Sequence, residues 1–119
     1  VDNSYTAIKM KAVHLIDSDR INAIGGLGDS DIRRILENFI GDLPGYVSAL
    51  ENLKLQGNGP EIILTLHKLK GAALTCGFSA VAQASALWLG SSDPFNDQSQ
   101  LDLQATIDAT IREWRALDG

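Results

Sequence analysis

The stretch "LTLHKLKGAALTCG", residues 64–77, holds the side chains whose types and spacing could do chemistry. His67, Lys70 and Gly71 stand three and four residues apart, so on a helix they are neighbours. Histidine titrates near neutrality and keeps an unprotonated ring nitrogen available as a nucleophile or base. Lys70 carries a positive charge on a long stem and suits a phosphoryl group held on the imidazole. Glycine in a helix interior costs about 1 kcal/mol relative to alanine. A bare backbone at Gly71 lets another surface come close to the ring, which is a reason to keep it.

Little else in the chain offers reactive groups. His14 and His67 are far apart, and one cysteine, Cys76, completes no metal-ligand spacing. There is no CxxC, no HExxH and no glycine-rich phosphate loop. A net charge of -5 argues against nucleic acid as the main partner, because phosphate backbones call for a basic footprint. A lone cysteine forms no internal disulfide and fits a reducing compartment. No apolar run approaches the roughly 18 residues that span a bilayer, and no signal peptide is visible. The 119 residues suffice for one domain with a modest core. The chain begins with Val1 rather than Met, from which we expect a piece of a larger protein or a processed chain.

The elements that must position these residues read as helices, since alternating β-branched runs are nearly absent. Residues 1–13 are ambiguous between a short helix and an arm. Ser18 can cap a short helix "DRINAI" that stops at Gly25-Gly26. Asp29 or Ser30 opens a longer helix with Ile32, Leu36, Phe39, Leu43, Leu50 and Leu53 on one side. Pro44 kinks it without breaking its apolar phase. "QGNGP" is a break, with Asn58 or Gly59 as cap and Pro60 and Glu61 in the next first turn. That helix runs to Cys76 and ends or bends at Gly77. Ser79 is expected to cap the next one, with Val81, Ala84 and Leu87 inside and Gly90 as its stop. After the polar loop "GSSDPFNDQSQ", Ser99 and Asp102 resemble a capping box for a last helix carrying Leu103, Ile107, Ile111 and Trp114. The expected fold is all-α: an antiparallel four-helix bundle with an additional short N-terminal helix.

On a wheel at about 100° per residue, Ile62, Leu66, Leu69, Ala73 and Cys76 form the core stripe of the third of these helices. His67 then points about 140° away and Gly71 about 180° away, with Lys70 on the flank. Ile63, Leu64 and Leu74 also fall outward. They would make an apolar rim around an exposed histidine, a docking surface more than a small-molecule pocket. The bland readings are that His67 is an ordinary surface residue, that Gly71 serves close helix packing, and that Ile63 and Leu74 are covered by a neighbour. Arg33 and Arg34 read as a solvated face, Cys76 as packing, and Trp88 and Trp114 as core.

The combination resembles the signature of histidine-containing phosphotransfer (HPt) domains: His, then Leu-Lys-Gly, a small residue and a later Gly. Here these are His67, Leu69, Lys70, Gly71, Ala72 and Gly77. "NFIGDLPGYVSALENL" resembles the family's long second helix with its internal proline, and "LIDSDRINAI" its N-terminal entry. The resemblance covers residues 15–117 and is firmest over about twelve residues around His67. Leu66 and Ala73 depart from it, standing where alanine and serine are common, and the stretch "ALWLG" lacks a carboxylate often found there.

The resemblance implies an HPt domain over residues 14–119, preceded by an arm or linker, 1–13. It implies His67 as phosphoryl acceptor and donor through Nε2, and Lys70 as electrostatic support. It makes Gly71, Ile63, Leu64 and Leu74 the docking surface for receiver domains of response regulators, bound transiently. It implies no kinase activity, no metal or cofactor of the domain's own, and Mg²⁺ supplied by the receiver. No contact of this domain with nucleic acid or membrane is expected. The expected setting is the C-terminal module of a bacterial hybrid sensor kinase, cytoplasmic or tethered to the inner membrane through that parent. Two other readings remain open: a helical docking module that is never phosphorylated, and an enzyme using His67 as base or nucleophile. For the latter no second catalytic group lies at useful spacing.

Overall fold

A computed structural model describes residues 16, 17 and 28–118. They form four helices: α1 (Ser30–Leu55), α2 (Gly59–Cys76), α3 (Ser79–Gly90) and α4 (Asp97–Asp118). Each packs against its neighbour in sequence, and α4 returns to pack against α1, closing the ring. The short connections force an up-down-up-down course. Contacts at the two ends agree with it. Lys54, at the end of α1, reaches Asp97 and Gln100 at the start of α4. At the other end Phe39 of α1 stacks on Phe78, with ring centroids 5.3 Å apart, and Phe78 meets Trp114 of α4 edge-on at 6.0 Å. The all-α bundle expected from the sequence is the observed one. The expected short helix at "DRINAI" lies outside the described residues, as do residues 1–13.

The helix ends follow local chemistry. The Asp29 carboxylate accepts from the N–H groups of Asp31 and Ile32 and so caps α1. Pro44 sits inside α1, which continues past it, with Leu43 and Leu50 buried on either side. The Asn58 side chain accepts from the Glu61 N–H and caps α2, with Pro60 in the first turn. Gly77 stops α2 in the left-handed region at φ 84°. The Phe78 N–H then donates to the Ala73 carbonyl at 2.8 Å, satisfying an end that would otherwise be orphaned.

Three expectations are corrected. Phe78, not Ser79, occupies the cap position of α3, and it makes no side-chain capping bond. Burial decides here: Phe78 is wholly inside, and tertiary packing sets where the chain turns. Leu87 is not inside but 67% exposed, because Trp88, one residue on, takes the core position with a larger ring to bury. Ser99 does not cap α4. The Asn96 side chain accepts from the Ser99 N–H at 2.8 Å, so the helix starts at Asp97, earlier than the capping-box reading places it.

Candidate functional site

The site is built on α2, whose buried residues include the whole stripe read from the sequence: Ile62, Leu66, Leu69, Ala73 and Cys76. With that face held against α1 and α3, the rest of the helix is turned outward. His67 stands at the middle of α2 and is exposed; Lys70 is half-buried at the edge of the face, and Gly71 is exposed. Ile63 is 42% exposed, Leu64 51% and Leu74 52%, so three large apolar side chains share the outward side of α2 with His67, in contact with water. The neighbouring helices do not wrap far enough to cover Ile63 or Leu74, which removes the reading of these two as core.

A Cβ built on Gly71 meets nothing within 4 Å. Close helix packing therefore does not explain this glycine. The Thr75 hydroxyl donates to the Gly71 carbonyl at 3.0 Å, one turn on. Of the three departures from the HPt pattern, the two on α2 lie in the core: Leu66 is 1% exposed and Ala73 wholly buried. They alter packing beneath the site and leave its surface alone. Lys68, which the sequence reading passed over, is exposed beside His67. Its signal was present in the sequence as a charge on the outward arc of the same helix.

Among the described residues, no group of three or more His, Cys, Asp or Glu side chains is arranged to hold a metal ion. The cavity lined by Val47, Leu50, Trp88, Gln100, Leu103 and Gln104 has a volume of about 10 Å³, room for one water. None of its walls comes from α2. No described helix is long and apolar enough to cross a membrane.

Fold and surface together define a class: an all-α bundle that displays one histidine on an outward, partly apolar helix face. The family model of the Hpt domain matches residues 34–113, and the chain belongs to that family. Comparison with curated proteins and with solved structures finds no match. Membership gives the chain a phosphotransfer role in two-component signalling. Hpt domains carry phosphoryl groups without kinase activity of their own and interact with receiver domains of response regulators.

Proposed function

We propose that this chain is a phosphorelay intermediate in which His67 takes a phosphoryl group from a receiver aspartate and passes it to another receiver. Nε2 of the neutral ring attacks phosphorus in line, an N–P bond forms, and the P–O bond to the aspartyl carboxylate breaks. The carboxylate leaves with its electron pair, and the second transfer runs the same exchange in reverse. Such a reaction asks for positioning and charge stabilisation more than covalent machinery. The receiver supplies Mg²⁺ and the acidic pocket. Lys70, one turn from His67, offsets charge on the transferring group. Ile63, Leu64, Leu74 and bare Gly71 form the surface on which the receiver seats.

The observation that carries the reading is the exposure of His67 within an apolar face where Gly71 has no packing reason of its own. The test is label transfer. A receiver domain is phosphorylated with acetyl phosphate and Mg²⁺ and mixed with this chain, and acid-labile, base-stable phosphate is assayed on it. We expect label on the wild type and none on His67→Gln, whose circular dichroism stays unchanged. Label on His67→Gln sinks the site assignment. Binding to receivers without any transfer favours the docking-only module instead. The setting within a bacterial hybrid sensor kinase, in the cytoplasm, belongs to this same proposal.

A further inference from the structure

The exposed positions of α2 run from Ile63 at one edge to Glu61 at the other. At about 100° per residue this is an arc of about 160°, and its centre falls on Gly71. His67 lies about 40° to one side of that centre and Lys68 about 60° to the other. Lys70 lies about 100° from the centre, past the edge, and accordingly is half-buried. On its N-terminal side the opening at Gly71 has His67 four residues back and Lys68 three back as neighbours by helical step, and on its C-terminal side Leu74 and Thr75. A body that enters over the glycine to reach the imidazole also covers Lys68.

The two lysines cannot do the same work. Lys70 stands one helical step from His67 on the same side and can lean over the ring. Lys68 is the next residue along the chain, and adjacent residues do not face each other. Its charge stands on the rim beyond Leu64. Among the described residues Lys68, like Lys70, Arg112 and Arg115, has no ion pair, whereas Lys54, Arg33 and Arg34 each have a carboxylate partner, and of the unpaired cations only Lys68 and Lys70 stand on α2. In a chain of net charge -5, Lys68 is an uncompensated cation beside an apolar contact face.

We propose that Lys68 is a docking residue that reads a carboxylate on the rim of the receiver's contact face. It governs how readily and how selectively receivers seat, while Lys70 acts on the transferring group; this rests on the relay reading above. A rim charge changes association and its salt dependence and leaves the buried chemistry alone. Beyond about 10 Å, salt screens the chain's net negative charge, so the local cation dominates as the two faces close.

The experiment is single-turnover transfer from an acetyl-phosphate-charged receiver domain, over a range of receiver concentrations, at about 0.05 M and about 0.5 M salt. The chains compared are the wild type, Lys68→Glu, Lys68→Arg and Lys70→Ala, each checked for helix content. Lys68→Glu is expected to raise the half-saturating receiver concentration about tenfold at low salt, with the maximal rate within about twofold of wild type. High salt shrinks the difference, and Lys68→Arg restores binding. Lys70→Ala shows the opposite split, a lower maximal rate. A half-saturating concentration unchanged in Lys68→Glu overturns the inference, as does a loss confined to the maximal rate or indifferent to salt. Failure of the wild type to take label from any receiver overturns the relay reading itself, and the inference with it.

Discussion

Gly71 shows how one residue separates stability from function. Gly41 and Gly45 of α1 also stand in open space, so room around a glycine is not by itself informative. What distinguishes Gly71 is its place one turn from an exposed histidine on a face lined by Ile63, Leu64 and Leu74. Since an added methyl meets nothing, Gly71→Ala should raise the stability of the isolated domain by about 0.5–1 kcal/mol, read by urea unfolding. Gly71→Leu should keep the helix and slow transfer by about tenfold or more, because a clash of about 1.4 kcal/mol in the docked complex already has that effect. A Gly71→Leu chain that transfers at the wild-type rate would refute the clearance argument.

At the scale of the element, α2 presents His67 outward because its buried stripe faces α1 and α3, while local chemistry fixes where the helix begins and ends. Asn58 caps one end, and the left-handed Gly77 closes the other. Gly77 is held from outside as well: the Asp17 N–H donates to its carbonyl at 2.6 Å, and Ile16 beside it is buried. Gly77→Ala forces a side chain into φ 84° and should cost about 1–2 kcal/mol in chemical denaturation. Equal stability of the variant would mean that the turn relaxes to another conformation. These ends were legible in advance because capping is local chemistry: an Asn three residues before Glu61, and a Gly after the last apolar position. The start of α3 was not, since Phe78 occupies its cap position for the sake of its ring rather than its hydrogen bonds. Nor was Leu87, because three-residue and four-residue steps from Ala84 lead equally well to Leu87 or Trp88.

Across the whole molecule, two end clusters hold the helices in register. Phe78 joins Phe39 and Trp114 at one end, while Lys54 ties α1 to Asp97 and Gln100 of α4 at the other. The aromatic cluster is buried and carries far more of the stability than the partly exposed lysine contacts. Phe78→Ala should cost about 3–5 kcal/mol by urea unfolding. At temperatures where the variant stays folded, its transfer rate should match that of the wild type, since none of these rings lies on the outward face of α2. A smaller loss of stability would show that Trp114 and Phe39 collapse into the space.

Four helices, the core stripe of α2 and the outward phase of His67, Lys70 and Gly71 were legible in the chain before any tertiary contact was known, although the starts of α3 and α4 were not. Helical phase and capping depend on residues within a few positions of one another, and they are written in the chain. What covers the outward side of α2 is set by the packed helices. Whether Ile63 and Leu74 were core or surface, and whether Gly71 had a packing partner, depended on how far α1 and α3 wrap around it. That is a property of the docked helices, set by which faces they bury together, and no spacing within α2 encodes it. The same geometry placed Gly71 at the centre of the exposed arc and put Lys68 on its rim.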